Sequence, residues 1–183
     1  MSNSAMGQAA ELSVSDFSPG RWVLDPAHTS VTFRHTGFWG LFTIKGRFRE
    51  VSGEGRLLQD GSLNGTLVVD AASVDTKVAK RDEHLRGVDF FDVANHPSFA
   101  FAVTGAALGD GPALQVAGEL TVLGTPRACA VTAQVSDASP DAVTLSTELG
   151  IARKDFGMTW NKLGIMKEIT TVTITARYRL VES

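Results

Sequence analysis

The sequence predicts an all-β protein, an antiparallel barrel of about eight strands with one short helix packed at its side. Three observations predict this fold: apolar and polar residues alternate along most of the chain, one segment alone has helical character, and glycines recur on apolar strand faces. A β-sandwich would share the alternation. Gly46, Gly65 and Gly118 favour a barrel, because strands tolerate glycine where the backbone bends or where something approaches closely.

Alternation with a period of two residues indicates strands that bury one face. It is clearest over residues 41–50, where Phe42, Ile44, Gly46 and Phe48 share one face and Thr43 and basic residues share the other. Such short strands at regular spacing are typical of all-β sandwiches and barrels. Similar alternation is present over residues 29–38, 62–70, 99–103, 114–123, 127–135, 143–151 and 170–181.

One charged segment interrupts the strands and predicts a helix over residues 78–86, with Gly87 as its C-cap. We interpret its charged residues as a solvent-exposed face and Leu85 as its buried residue. Arg81 and Asp82 are expected to tie the helix to the strands near Phe90 through charge-assisted hydrogen bonds.

Composition predicts one domain over residues 20–183, preceded by a flexible tail of small polar residues over 1–19. The net charge of −3 argues against a nucleic-acid partner. No apolar run reaches the ~20 residues of a membrane span, so stable membrane insertion is not expected. The first residues lack the basic and apolar stretches of a secretory signal, which predicts a cytoplasmic location, although a chain whose signal had been removed would look the same.

Residues 152–169 separate two predicted strands by a long apolar segment that contains Met158, Trp160 and Met166. Loops of this length in compact domains usually have a function, and methionine suits an adaptable apolar surface. We interpret the segment as a lid over an apolar tunnel. The alternative is a loop that Trp160 fastens to a filled core.

No motif predicts a catalytic residue, a metal site or a cofactor. The histidines lack the spacing of a metal-binding motif, and no phosphate-binding loop, nucleophile elbow or dinucleotide fingerprint is present.

Several motifs together resemble those of the YceI-like family, polyisoprenoid-binding proteins with a lipocalin-like barrel. The longest is KRDEHLR at residues 80–86, followed by DFFDV at 89–93 and His96-Pro97. The other motifs are LDPAHTSV at 24–31, GRF at 46–48, ASVDT at 72–76, GELTVLG at 118–124 and RKDFG at 153–157.

The resemblance implies an extended eight-stranded lipocalin-like barrel around an apolar tunnel. It also implies non-enzymatic binding, carriage or storage of a long-chain amphiphile such as a polyprenyl lipid, an isoprenoid quinone or a fatty-acid derivative. No cofactor is implied, many members are exported, and relatives make a homodimer plausible.

We expect the ligand to contact inward-facing apolar residues and the loop before the last strand. Asp25, His28 and Arg153 are the candidates for contact with its polar head at the mouth of the tunnel. Two alternatives are an enzyme acting on a lipid-like substrate with His28 or His84 as general base, and a stress-related or interaction protein whose barrel is filled. The predicted apolar contacts are Phe33, Phe42, Ile44, Phe48, Leu67, Val69, Phe99, Phe101, Leu120, Val122, Phe156, Trp160, Leu163 and Met166.

Overall fold

The computed structural model describes residues 16–37, 41–108, 112–161, 164 and 166–182. The helix α1 covers Ala79–Arg86, and short 3-10 helices cover Pro26–His28, Ala71–Ser73 and Arg153–Phe156. The strands are β1 (Gly20–Leu24), β2 (Ser30–Gly37), β3 (Phe42–Phe48), β4 (Val51–Leu57), β5 (Leu63–Asp70), β6 (Val74–Asp75), β7 (Ser98–Leu108), β8 (Ala113–Val122), β9 (Thr125–Ser139), β10 (Ala142–Ala152) and β11 (Met166–Glu182).

The strands close into an antiparallel barrel. β1 and β2 lie end to end along the long strand β11. On their other side, β1 pairs with β4 and β2 pairs with β3. From β4 the sheet continues through β5, β7, β8, β9 and β10 and returns to β11. Because β1 pairs with both β4 and β11, the sheet has no gap at this end, and the predicted eight-stranded barrel is confirmed.

The register of β10 and β11 shows how the alternation builds the wall. Leu145 lies opposite Ala176, Leu149 opposite Val172, and Ile151 opposite Thr170. Since successive strand residues point to opposite faces, these alternate positions all face the barrel interior. β11 begins at Met166, so the loop predicted over 152–169 is shorter than expected, and part of it forms a 3-10 helix.

The segment between β5 and β7, residues 71–97, forms a cap on the barrel. The cap contains a 3-10 helix, β6 and α1, and its ends meet where the Ala71 N–H donates to the Pro97 carbonyl at 2.9 Å. β6 pairs with the end of β3, Val74 opposite Phe48. The cap is therefore attached to the wall at the end of β3.

The predicted helix is confirmed, with the Gly87 N–H donating to the His84 carbonyl at its C-terminus. Its buried residue was predicted wrongly. Asp82 is 8% exposed, whereas Leu85 is half-buried.

Arg81 and Asp82 do fasten the helix, through Thr76 just after β6 and not near Phe90. Asp82 Oδ1 accepts from the Thr76 N–H at 2.9 Å and from its hydroxyl at 2.5 Å, while Arg81 donates to the Thr76 carbonyl at 2.9 Å. The carboxylate is buried because it satisfies two donors at once.

Two inward glycines make room for phenyl rings of the neighbouring strands. A Cβ at Gly46 would collide with the Phe33 ring, and one at Gly118 would collide with the Phe101 ring. Close approach is thus the reason for glycine, as predicted, but here the approaching group belongs to the protein itself.

One packed part of the interior lies near the cap. Val122, Phe156 and Met158 form a buried cluster near the cap, and Val74, 1% exposed, is the largest fully buried side chain in the described part of the chain. Within that part, no helix is long and apolar enough to cross a bilayer.

Candidate ligand-binding cavity

The barrel encloses a cavity of about 370 Å³. This volume falls within the range of small-molecule binding sites, roughly 300–1,000 Å³. Its lining runs along β10 from Val143 to Ile151, nine residues that span about 27 Å of strand. The hollow interior contradicts the filled barrel of the alternative interpretation.

Aromatic rings form one side of this cavity, where strands β2, β3 and β7 meet the cap. Phe48 lies at the centre, with ring centroids 5.6 Å from Phe33, 5.8 Å from Phe99 and 5.9 Å from Phe91. Phe91 and Phe99 also meet edge to face at 5.1 Å. Rings at these distances attract one another and give the wall a fixed shape.

Most of the predicted apolar contacts line the cavity, since they lie on the inward faces of strands. As contacts of a bound ligand they remain predictions. They are Phe33, Ile44, Phe48, Leu67, Val69, Phe99, Phe101, Leu120 and Val122.

Four predicted contacts lie outside the lining, and Leu163 falls outside the described residues. Phe42 is 42% exposed at the start of β3. Phe156 packs in the buried cluster with Val122. Trp160 lies against the cap, and Met166 exchanges hydrogen bonds with Asn161 at the start of β11.

The loop after β10 reaches the cavity through Met158. Trp160 instead packs on the cap, with its ring centroid 5.1 Å from both His84 and Phe90. In its described residues the loop is therefore fastened by Trp160, as the alternative to a lid expected, but to the cap and not to a filled core.

Polar side chains meet at the end of the cavity nearest the cap. Arg153, which follows β10, is 4% exposed and lines the cavity together with His35 of β2 and Thr170 of β11. Its Nε donates to the Lys167 carbonyl and its Nη1 to the Trp160 carbonyl, both at 3.3 Å. Burial lowers the pKa of Arg153, and the nearby Glu168 partly opposes this.

His35 is 5% exposed, and its Nδ1 lies 2.9 Å from the Thr170 hydroxyl. Burial lowers the pKa of His35, and the charge of Arg153 lowers it further. The imidazole is therefore neutral at pH 7, because its ordinary pKa of 6.5 already lies below that pH. His35 lies in the alternating segment predicted over residues 29–38 but was not assigned to the site.

The opposite end of the cavity is formed by Phe17, Trp22 and Tyr178. Phe17 and Trp22 meet edge to face at 6.2 Å, and the Trp22 indole N–H donates to the Ser18 carbonyl. Burial raises the pKa of Tyr178 to about 12, so its phenol stays neutral. Phe17 and Ser18 belong to the stretch predicted as a tail.

Asp25 and His28, predicted at the mouth, do not line the cavity. Asp25 caps the 3-10 helix after β1, lies 2.9 Å from His28 Nδ1 and forms an ion pair with Arg179. His84 pairs with Asp89 at 3.2 Å on the cap. Neither histidine named for the enzymatic alternative therefore faces the enclosed space.

The cap contributes three lining residues that were not predicted: Leu85, Phe90 and Phe91. The segment was expected only to be tied to the strands through Arg81 and Asp82. Its Phe-Phe pair was the available signal, because two consecutive aromatic residues in a charged segment indicate a buried contact. No group of three or more His, Cys, Asp or Glu within the described ranges could hold a metal ion.

A closed antiparallel barrel around an apolar cavity, with polar side chains at one end, defines a ligand-binding barrel. The sequence profile of the YceI-like domain matches residues 22–179, and the chain belongs to this family.

Its relatives include a "UPF0312 protein" of Vibrio cholerae, 30% identical over 168 residues that cover 84% of this chain and 86% of that protein. A second, from Vibrio parahaemolyticus, is 32% identical over 119 residues, which cover 63% of this chain and 61% of that protein. The latter match thus spans about three fifths of each chain.

Two solved structures show the same fold at 19% identity. BcnA of Burkholderia cenocepacia superposes with a TM-score of 0.74 over 84% of this chain and 98% of its own. A domain of Saccharophagus degradans, described as a polyisoprenoid-binding domain, superposes with a TM-score of 0.73 over 87% of this chain and 98% of its own.

Proposed function

We propose that this protein binds a long-chain amphiphilic lipid inside the barrel and carries or stores it without chemical change. The class of ligand is a polyprenyl lipid, an isoprenoid quinone or a fatty-acid derivative. The observation that carries the proposal is the enclosed apolar cavity of about 370 Å³.

The lining supports this proposal energetically. Seven of the ten lining residues on β10 and β11 are aliphatic, and each methylene buried against them contributes about 0.8 kcal/mol. About ten methylenes would contribute roughly 8 kcal/mol, which is of the size needed to offset the loss of translational and rotational freedom on binding. A chain without specific polar contacts can therefore bind here.

The comparison with known structures adds a second line of support. The Saccharophagus degradans domain shares the barrel and is described as polyisoprenoid-binding. A ligand of similar chemistry fits a cavity that is long, almost wholly apolar and lined by rings and branched aliphatic side chains.

Binding without catalysis agrees with the position of the histidines. A general base must reach the reacting group, and the carboxylate-paired histidines His28 and His84 lie outside the cavity lining. His35 does line the cavity, but its Nδ1 partner is the Thr170 hydroxyl and not a carboxylate.

The test is organic extraction of the purified full chain followed by mass spectrometry, combined with loading of the lipid-free protein with geranylgeraniol. Leu149→Trp should fill the cavity, because Leu149 faces inward near the middle of the lining. Glu148→Trp is the matched control, since the neighbouring side chain is exposed on the outer face.

We expect wild type and Glu148→Trp to retain geranylgeraniol through gel filtration, and Leu149→Trp to lose at least ten-fold in affinity. If wild type yields no lipid on extraction and binds no probe, the proposal is wrong. Equal binding by the inward and outward tryptophan variants would place any bound lipid outside the barrel and would also refute it.

A further inference from the structure

His35 presents a buried polar atom that has no partner in the described part of the chain. Its Nδ1 contacts the Thr170 hydroxyl, but its Nε2 is inaccessible to solvent and makes no hydrogen bond. Buried side-chain nitrogens are nearly always hydrogen-bonded, and an exception calls for a missing partner. Because His35 lines the cavity, that partner can come from a bound molecule.

Arg153 presents a polar, charged group at the same end of the cavity. Two of its guanidinium nitrogens donate to backbone carbonyls, while Nη2 makes no hydrogen bond to a described residue. No carboxylate of the described residues forms an ion pair with it, and the nearby Glu168 pairs with Lys154 instead. A buried charge is costly unless an opposite charge and hydrogen bonds compensate it.

These two groups come together through the sheet. Thr170 of β11 lies opposite His35 of β2 on one side and opposite Ile151 of β10 on the other, and Arg153 follows two residues after Ile151. Both side chains line the cavity together with Thr170, and the neighbouring surface is formed mainly by aromatic and aliphatic residues. The polar pair is thus isolated within an apolar enclosure.

We infer that Arg153 and His35 bind the head group of the ligand, and that this head group presents an anionic oxygen, as a carboxylate or a phosphate does. The guanidinium would donate to the anion through Nη2, and His35 Nε2 would complete the contact. This inference rests on the proposed lipid-binding function and specifies the head group that the barrel selects.

The same geometry sets the direction of the bound molecule. The head lies at the cap end, and the tail extends toward Trp22 and Tyr178. Along β11, Tyr178 is eight residues away from Thr170. That separation corresponds to about 27 Å of strand. Asp25, which was predicted at the polar mouth, lies outside the lining and would repel an anion.

The experiment compares three probes: palmitate, hexadecyl phosphate and hexadecanol. They share a chain of about sixteen carbons, which fits within the ~27 Å of lining. Each displaces the neutral fluorophore N-phenylnaphthylamine from the lipid-free full chain. We expect wild type to bind at least one of the two anionic probes at least ten-fold more tightly than the alcohol. The tighter of the two identifies the anion as carboxylate or phosphate.

Arg153→Met should abolish this preference while hexadecanol still binds, which also shows that the barrel has folded. His35→Gln should reduce the preference three-fold or more. Tyr178→Phe is the matched control, because it removes a polar group at the opposite end of the cavity and should leave the preference unchanged.

The outcomes separate the two proposals. If wild type binds anions and alcohol equally, or Arg153→Met keeps the anion preference, the head-group inference is wrong and lipid binding stands. If no probe displaces the fluorophore, lipid binding itself fails. Should Arg153→Met not fold, wild type and His35→Gln decide the question alone.

Discussion

The wall of the barrel and the cap enclose the same cavity but are held together differently. In the wall, β10 pairs with β11 at eleven consecutive positions from Ala142 to Ala152, through backbone hydrogen bonds. In the cap, β6 pairs with β3 at only two positions, and single side chains add further connections: Arg86 donates to the Ala72 carbonyl at 2.7 Å and to the Val74 carbonyl at 3.0 Å. The wall should therefore tolerate the loss of one side chain better than the cap.

The largest expected difference comes from truncating an apolar residue in each region. Phe90, 6% exposed, packs on His84 and Trp160, and we expect Phe90→Ala to lower the free energy of unfolding by about 3–5 kcal/mol. Leu145→Ala in the wall should cost about 1–2 kcal/mol, because that half-buried side chain already faces empty space.

Urea unfolding of the lipid-free proteins, followed by circular dichroism, measures both values. Thr66→Ala, a surface substitution in β5, serves as a reference that should change stability by less than about 0.5 kcal/mol. Equal costs for the cap and wall variants would contradict the proposed difference between the two regions.

A smaller effect is expected when the polar connection inside the cap is weakened. Asp82→Asn replaces a carboxylate that accepts from both the backbone N–H and the hydroxyl of Thr76, and it should lower the free energy of unfolding by about 1–2 kcal/mol. Glu83→Gln changes the charge by the same amount at the next, exposed residue and is the control. Similar unfolding midpoints for the two variants would show that the Asp82 contacts do not hold the cap.

The smallest expected effect is a loss of stability at acidic pH, which should begin at a different pH in each of the two regions. Burial and the charge of Arg153 lower the pKa of His35 in the fold, so the unfolded chain takes up a proton more readily. The contribution of neutral His35 to stability is present above its unfolded pKa of 6.5 and is lost as the pH falls through the lower folded value.

Asp75, which joins the cap to β3, loses its contribution at more acidic pH. Hydrogen bonds from Lys77, Arg49 and Arg47 lower the pKa of Asp75 below its ordinary value of 3.8, so stability from this carboxylate persists until the pH falls below that value. Urea unfolding at pH 7.5, 5.5 and 3.5 (roughly one unit above and one unit below the unfolded pKa of His35, and slightly below that of Asp75) should show a loss of stability between the first two pH values, and His35→Gln should reduce that loss. If His35→Gln shows the same loss of stability as wild type, other titrating groups cause that loss.

Much of the wall could be predicted from the sequence. Val143, Leu145, Leu149 and Ile151 alternate in β10 and all line the cavity, because a strand in a closed sheet has one inner face. The cap could not be predicted in the same way. Leu85, Phe90 and Phe91 lie in a segment without strand periodicity. Its Phe-Phe pair indicates a buried contact, but no local pattern shows that this contact lies inside the barrel.

The polar residues show the same limit. Asp25 and His28 lie in a turn that was predicted at the mouth, yet they pair with each other and with Arg179 on the outside. Arg153 was predicted as a polar contact and does line the cavity. His35 lies in a segment that was predicted to be a strand with one buried face, but its missing hydrogen bond is visible only when its neighbours are known.

The sequence by itself determined the barrel, the short helix and the apolar character of the inner faces, because strand geometry converts a period of two residues into two faces. Only the tertiary structure decided that the interior is hollow and which polar groups enter it. Closure of the sheet brings His35 and Arg153, 118 residues apart in the chain, to either side of Thr170. No local pattern encodes that meeting, because it depends on the register of three strands.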